Sequence, residues 1–249
     1  MPTFTVNPAK TGLLPARVHP SWDDFLGRTM PLIESAAASL GGDFTPPPDR
    51  VLRFLERDPA SVRVVVLGQD PYPAPGAATG RAFEVGGLTD WAAPFRQVSL
   101  KNILRAVYAA YGGEPYSPYR DVLRAVKEGR FNILPPDRLF ASWEEQGVLL
   151  LNTSLTCRVG APDSHRDIWR PFTRAVMEQL SQTPSRAWFL WGSDARACIP
   201  YINAGKIYQS RHPMMCSPAY DDDFLKNPCF AETMDIVDWR GRPTAAEQN

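Results

Sequence analysis

Cysteines are few in this sequence, and their spacing argues against several kinds of site. Only four occur in 249 residues, and no two of them form a C-x-x-C pair: Cys157, Cys198, Cys216 and Cys229. Zinc sites and iron–sulfur clusters need closely spaced ligands, and small secreted proteins use denser cysteine frameworks. We therefore expect reduced thiols in a cytoplasmic protein that holds no metal.

An excess of charge of one sign and long apolar runs are missing as well. Lysine plus arginine and aspartate plus glutamate each number 27, so the formal net charge is zero. Any surface that binds nucleic acid must then be local, because no overall basic field is present. No run of about eighteen apolar residues and no signal-peptide pattern occurs. The sequence thus predicts neither a membrane span nor export.

Four short apolar runs, each followed by polar residues, predict the strands of one sheet. They cover residues 62–67, 148–151, 187–191 and 206–209, and stretches typical of helices lie between them at residues 98–111, 138–146, 168–180 and 194–201. This alternation favours a three-layer α/β/α sandwich with a central four-stranded, mainly parallel sheet. Because ligands of such sheets bind beyond the carboxyl ends of the strands, chemistry is expected just after each run.

The chain is predicted to form one main domain, residues 48–240. Residues 1–47 contain one predicted helix, residues 22–40, and are expected to be an arm that packs on this domain. Residues 241–249 are polar and are expected to form a flexible tail.

The loop after the first strand holds a carboxylate among residues that stiffen the backbone. It reads Gly68-Gln69-Asp70-Pro71-Tyr72-Pro73, and each proline fixes its own φ. A carboxylate held in one orientation suits the placement of a water or the stabilisation of a developing cation. The alternative is that Asp70 caps the next turn, which is the better explanation of this loop taken by itself.

Several segments in a fixed order change this balance. They are residues 68–72 (GQDPY), 98–103 (VSLKNI), 149–156 (LLLNTSLT), 164–165 (SH), 191–193 (WGS) and 212–213 (HP). Together they resemble the family 1 uracil-DNA glycosylases, and the resemblance covers residues 50–240. It implies a monofunctional enzyme of base-excision repair that hydrolyses the N-glycosidic bond of a flipped uracil and leaves an abasic site. It also implies no cofactor, a substrate of single- or double-stranded DNA containing uracil, and a monomer.

The resemblance assigns catalytic roles to two residues. Asp70 would position the attacking water and stabilise the sugar cation, and His212 would donate a hydrogen bond to the departing uracil oxygen. The alternative for His212 is a polar loop residue satisfied by the backbone. No lysine falls at a motif position to form a Schiff base, since Lys101 is better explained as a phosphate contact, so no lyase step is expected.

The resemblance also implies a pocket for the base. Asn152 would recognise the flipped uracil through its side-chain amide, Phe83 would stack on the ring, and Tyr72 would exclude the methyl group of thymine. Gln69 belongs to the same predicted set. The alternatives are an αL turn residue for Asn152 and simple core residues for the two aromatics.

Contacts to the DNA backbone and duplex are assigned in the same way. Ser99, Ser193 and Ser217 fall on the positions of the serines that hold phosphates, and His165 is a further predicted DNA contact. Hydroxyl and amide groups fix register without net positive charge, which reconciles DNA binding with the neutral composition. Five basic residues are predicted to form a local basic rim at the DNA-binding surface: Arg96, Lys101, Arg158, Arg166 and Arg211.

The chain departs from the family pattern in two loops. Pro73 stands where these enzymes carry histidine, and the residues after His212 read Met214-Met215-Cys216 in place of Ser-Pro-Leu. Cys216 therefore takes the position of the leucine that is inserted into the duplex, and Met215 is the alternative wedge. Residues 221–223, three aspartates, either oppose DNA binding or cap the following helix.

Three other functions stay open at this point. The same fold could act on another base or on single strands, or it could bind lesions with weak catalysis. An unrelated α/β hydrolase or nucleotide-binding domain ranks last, because the sequence contains neither a G-x-S-x-G elbow nor a G-x-x-x-x-G-K-[ST] loop.

Overall fold

The computed structural model describes residues 11–183 and 186–242. Within these residues the strands are β1 (Phe44–Thr45), β2 (Val64–Gly68), β3 (Val148–Asn152), β4 (Cys157–Arg158), β5 (Ala187–Trp191) and β6 (Lys206–Ser210). The helices are α1 (Asp23–Ser39), α2 (Pro48–Val51), α3 (Val98–Ala110), α4 (Tyr119–Lys127), α5 (Pro136–Glu145), α6 (Arg166–Leu180) and α7 (Ser193–Arg196).

The central sheet has the strand order β3-β2-β5-β6, and all its neighbouring strands are parallel. This confirms the predicted four-stranded, mainly parallel sheet. Every residue of β2, β3 and β5 is buried, because both faces of the sheet are covered, whereas the edge strand β6 exposes Lys206 and Gln209. In the register Gly68 lies opposite Asn152, and Trp191 lies opposite Ser210. The loops that follow the strands therefore meet at one end of the sheet.

Alternate strand residues enter two separate cores, one on each face of the sheet. Val66 and Phe189 pack in the core that contains residues of α3 and α5 together with Trp239 near the C-terminal end. Leu67 and Leu190 pack in the other core, which contains residues of α1 and α6. This arrangement of helices on both faces of the sheet confirms the α/β/α sandwich.

The predicted helices match the observed ones closely, with one exception. The predicted helix over residues 194–201 is wrong as a continuous helix, because α7 ends at Arg196 and a separate 3-10 turn covers Ile199–Tyr201. Pro200 has no N–H to donate to the Arg196 carbonyl, so α-helical hydrogen bonding cannot continue through it. Two features were not predicted from the sequence: α4, in which only Val122 and Ala125 are fully buried, and the two-residue antiparallel pair of β1 and β4.

The N-terminal segment packs against the sheet layer through α1. The Phe25 ring lies 5.9 Å from that of Phe172 in α6, and Leu13, Leu14 and Trp22 are buried in the same core. The first ten residues of the predicted arm, and residues 243–249 of the predicted tail, lie outside the described residues. Within the described ranges, no helix has the length and apolar character needed to cross a membrane.

Candidate active site

The loops beyond the strand ends enclose a cavity of about 390 Å³. Among the residues that line it are seven of the predicted set: Gln69, Asp70, Tyr72, Phe83, Ser99, Asn152 and His212. A volume of this size is typical of sites for small ligands. Gln69, Asp70 and Tyr72 follow β2, Asn152 ends β3 and His212 follows β6, so the parallel sheet brings these five residues to the same end.

Asn152 ends β3 with its side chain nearly buried, at 7% exposure. Its side-chain amide makes no hydrogen bond to any other residue of the described ranges, so its donor and acceptor are available to a ligand. Gly68 on the neighbouring strand makes room for this amide, because a Cβ there would lie 2.3 Å from Asn152 Oδ1. Asn152 lacks the positive φ of an αL residue, so the turn alternative is wrong.

Asp70 is held by a residue distant in the sequence. The backbone N–H of Asp163 donates a hydrogen bond of 2.6 Å to Asp70 Oδ2. The alternative that Asp70 caps the turn after its own strand is therefore wrong. Burial raises the pKa of Asp70 above its usual range, and the Asp163 hydrogen bond opposes this shift. The carboxylate is thus fixed through one oxygen in a partly desolvated position.

His212 is held as a neutral imidazole. The backbone N–H of Met214 donates to His212 Nδ1 over 3.2 Å, and burial lowers the pKa of His212 although Asp194 opposes this. With Nδ1 accepting, the single ring proton lies on Nε2. Gly192, at a φ of 97°, permits the close approach of this loop, because a Cβ there would lie 3.1 Å from His212 Cβ.

Two aromatic side chains complete the walls of the cavity. Phe83 has a positive φ of 66°, and its ring centroid lies 6.0 Å from that of His212 and 5.5 Å from that of Trp191. The Tyr72 hydroxyl donates to the Phe83 carbonyl over 3.4 Å, and burial raises the pKa of Tyr72. Both rings line the cavity rather than only filling a core.

The predicted DNA contacts occupy different kinds of position. Ser99 lies in the first turn of α3 and lines the cavity, whereas Ser193 is exposed at the start of α7 and Ser217 lies on the loop after His212. His165 is only 4% exposed, and its Nδ1 forms a hydrogen bond of 2.9 Å with Thr156 Oγ1. Its imidazole therefore lies beneath the surface, at the start of α6.

The divergent loop after His212 exposes two methionines. Met214 and Met215 are 58% and 52% exposed, and Met214 lines the cavity. Cys216 is half-buried, with Sγ donating to the Pro213 carbonyl over 3.2 Å, and burial raises the pKa of its thiol to about 12. The largest apolar side chains that this loop offers to solvent are thus the two methionines.

The aspartate run at residues 221–223 does not face solvent as a block. Asp223 is 1% exposed and caps a 3-10 turn by accepting from Leu225 N, which confirms the capping alternative for this residue. It also accepts a 2.7 Å hydrogen bond from Ser217 N. Asp222 pairs with Arg211 at 2.7 Å, and this arginine lowers the pKa of Asp222. The ion pair with Arg211 therefore offsets the charge of Asp222, and Asp223 is turned away from solvent.

Two residues that support the site received no role from the sequence. Asn102 Nδ2 donates to the Pro213 carbonyl over 2.6 Å, and Arg105 donates to Asn102 Oδ1 over 2.7 Å. These contacts fix the loop of His212 to α3. Asn102 lies in the segment 98–103 that carried part of the resemblance, which was the only available signal. The described ranges contain no cluster of three or more His, Cys, Asp or Glu side chains able to hold a metal ion.

Comparison with known proteins agrees with this geometry. The model of the Uracil DNA glycosylase superfamily matches residues 55–234. The uracil-DNA glycosylase of a Nocardioides species is 36% identical over 206 residues, covering 81% of this chain and 78% of the relative. That of Idiomarina loihiensis is 35% identical, covering 79% and 82%. The crystal structure of wild-type UNG from Nitratifractor salsuginis superposes with a TM-score of 0.71 at 24% identity, covering 91% and 94%. The chain therefore belongs to the uracil-DNA glycosylase superfamily.

Proposed function

We propose that this protein removes uracil from DNA by hydrolysing its N-glycosidic bond, leaving an abasic site for base-excision repair. The observation that carries the proposal is the convergence of Asp70, His212 and the unbonded amide of Asn152 in one cavity. Relatives named uracil-DNA glycosylase, at 31% to 37% identity, support the same reaction.

Recognition of the base is assigned to Asn152. One amide presents a donor and an acceptor side by side, which complements the adjacent O4 acceptor and N3–H donor of uracil. Cytosine presents the opposite pattern and is rejected. Tyr72, beside the base, excludes the methyl group of thymine, and Phe83 stacks on the ring. The backbone carbonyl of Gln69 accepts a hydrogen bond of 2.8 Å from Thr153 Oγ1. Gln69 thereby links the loop after β2 to the loop after β3, and these two loops form part of the base pocket.

Asp70 is assigned to the sugar side of the reaction. As the glycosidic bond breaks, positive charge develops on the sugar, and a fixed carboxylate stabilises it without reorganising. Because Asp163 N–H occupies Oδ2, the other oxygen is the one that orients the attacking water. The water adds to the sugar carbon, and its proton passes to the carboxylate.

His212 is assigned to the leaving group. Negative charge develops on the uracil ring as the bond breaks, and a neutral Nε2–H stabilises it by donating a hydrogen bond to a uracil oxygen. The contact from Met214 N to Nδ1 keeps the proton on Nε2. No metal or organic cofactor and no lysine Schiff base enters this scheme.

The DNA backbone is held by local contacts rather than by an overall field, since the formal net charge is zero. We assign phosphate contacts to Ser99, Ser193 and Ser217. The exposed Met214 and Met215 are assigned to the space left in the duplex by the flipped nucleotide. Cys216, being half-buried, is not assigned to it. We further propose that the protein is a cytoplasmic monomer of the family 1 branch.

The testing experiment is base release from single-stranded and duplex oligonucleotides that carry one uracil, with thymine oligonucleotides as controls. Alkaline treatment converts abasic sites into strand breaks that can be counted. Release at uracil only, lost in the matched variant Asp70→Asn, is the expected result. If the folded protein released no base from either substrate, the proposal would be refuted and a lesion-binding role would be favoured.

A second candidate is the same chemistry restricted to single strands. The altered loop supports this candidate, because Cys216 stands at the position of the wedge leucine and only the flexible side chains of Met214 and Met215 are left to fill an opened base step. The ratio of single-strand to duplex rates in the experiment above decides between the two.

A further inference from the structure

An ion-pair network lies beside the base cavity and has no role in the scheme above. Arg81 Nη1 lies 2.9 Å from Glu84 Oε1, and Arg81 Nη2 lies 2.6 Å from Glu144 Oε2 in α5. The three side chains are only 9% to 11% exposed. Thr79 Oγ1 donates to Glu84 as well. Arg81 also lines the cavity that holds Asp70 and His212.

Burying this ion-pair network costs desolvation free energy, and apolar side chains could occupy the same volume. Desolvating three charges costs free energy that apolar side chains of similar volume would not. Burial lowers the pKa of Arg81, but the hydrogen bonds and charges of Glu144 and Glu84 outweigh this and raise it. The Arg81 Nε is buried without a partner in the described ranges. A purely structural explanation therefore leaves the choice of charged residues unexplained.

Phe83 is one of the two residues between Arg81 and Glu84 in the chain, and its backbone is strained. Its φ of 66° is unfavourable for a residue with a bulky side chain. On one side, Ala82 N donates to the Leu150 carbonyl of β3 over 3.2 Å. On the other side, Glu84 is held by Arg81. Strain of this kind persists only where surrounding contacts enforce it, and it is concentrated at functional sites.

A close approach holds the start of the same segment. Gly80, at a φ of 87°, packs so tightly that a Cβ there would lie 2.2 Å from the Arg50 carbonyl. Arg53 Nη1 donates to the Thr79 carbonyl over 3.0 Å. The segment from Thr79 to Glu84 is therefore fixed at its beginning by backbone packing and at its end by the ion pairs.

We propose that Arg81, Glu84 and Glu144 position the ring of Phe83 for stacking on the base, so that the network sets the affinity of the cavity for uracil. This rests on the proposed function, since it assigns the ring a planar ligand. Arg81 acts through Phe83 as a positioning residue and does not touch the reacting atoms.

A double-mutant cycle tests the coupling. The probe is free uracil, the product, and the measurement is its inhibition constant on a single-stranded uracil oligonucleotide. Arg81→Leu is expected to raise this constant about three- to tenfold, the scale of one aromatic contact. In the Phe83→Leu background, where no aromatic ring is left to position, the same substitution is expected to have almost no effect. Equal effects in both backgrounds would overturn the proposal.

Arg81→Leu removes the main partner of two buried carboxylates and leaves Glu84 with the Thr79 hydroxyl and Glu144 with Arg57 at 3.9 Å, which can prevent folding. Glu84→Gln keeps the shape and serves as the second variant in the same cycle. A folded Glu84→Gln protein with an unchanged inhibition constant and a lower melting temperature would show a structural role only, and would overturn the proposal. Arg124→Leu is the matched control, because Arg124 pairs with Asp121 at the same i, i+3 spacing on the surface.

The behaviour of the parent protein distinguishes a failure of this inference from a failure of the proposed function. Uracil release by the parent with no coupling between Arg81 and Phe83 would contradict this inference alone. Absence of uracil release and of uracil binding by the folded parent would contradict both this inference and the proposed function.

Discussion

The backbone N–H of Met214 donates to His212 Nδ1 over 3.2 Å, so the residue that begins the divergent loop also sets the tautomer of the imidazole. The substitution at Met214 therefore leaves the hydrogen bond to His212 intact, because the backbone N–H makes it. Only the side chains of this loop differ in the surface that they present to DNA.

The pH dependence of excision follows from opposite shifts of two groups. Burial raises the pKa of Asp70 from 3.8 and lowers that of His212 from 6.5. Asp70 must be ionised and His212 neutral, so the rate should stay level at neutral pH and fall only below about pH 6.5. Single-turnover rates on single-stranded DNA measure this. A decline that begins above pH 7 and disappears in His212→Ala would contradict the neutral imidazole.

His212→Ala should lower the single-turnover rate about 10²- to 10³-fold, because a preorganised donor to the leaving group is lost. Binding of a uracil-containing oligonucleotide should change far less, since the backbone contacts remain. Quench-flow rates together with anisotropy titrations separate the two effects. A near-normal rate in a folded variant would exclude the assigned role.

Asp70→Asn should lower the rate at least about 100-fold and make the fold more stable at neutral pH. A raised pKa in the folded protein means that the ionised carboxylate is disfavoured there, so its charge costs stability above that pKa. The gain should vanish as the pH falls and the parent carboxyl becomes protonated. Calorimetric melting at two pH values measures this, and a lower melting temperature at pH 7 would contradict the desolvated environment.

Asn152→Asp should transfer recognition toward cytosine, because the carboxylate accepts where the amide donated. Release of cytosine from a single-stranded oligonucleotide, absent with the parent, is the expected result. A folded variant that still prefers uracil would count against Asn152 as the recognising residue.

Gly68→Ala should impair uracil recognition by displacing the amide of Asn152. The new Cβ would meet Asn152 Oδ1 at 2.3 Å and displace the amide. We expect the inhibition constant of free uracil to rise about tenfold or more, the equivalent of one hydrogen bond. Gly42→Ala is the control, since no atom lies within 4 Å of its Cβ position. Equal inhibition constants in both variants would mean that Asn152 tolerates displacement.

Met214→Ser combined with Met215→Ser should lower the rate on duplex DNA about tenfold and leave the single-strand rate unchanged, because polar side chains fill an opened base step poorly. Met234→Ser, at a methionine that is 39% exposed elsewhere on the surface, is the matched control. A parallel loss on both substrates would instead indicate damage to the His212 loop.

Much of the framework could be predicted from local patterns. The strand Ala187–Trp191 was predicted to the residue, because a buried strand in a parallel sheet needs an unbroken apolar run. The assignment to uracil-DNA glycosylase is confirmed by the superfamily match and by the named relatives. The family 1 branch, the monomer and the cytoplasmic location stay predictions.

Local patterns in the sequence account for the residue types that follow each strand, since apolar runs and turn residues act over a few positions. Which groups those residues contact depends on the folded chain. The Asp70 carboxylate accepts a hydrogen bond from the backbone N–H of Asp163, 93 positions away. The His165 side chain is buried. Asp223 caps a turn and also accepts a hydrogen bond from Ser217 N. The pairing of Arg81 with Glu144 likewise joins a loop to α5 across 63 positions. Such contacts depend on how distant segments pack, because burial and partner distance are properties of the folded chain rather than of any local pattern.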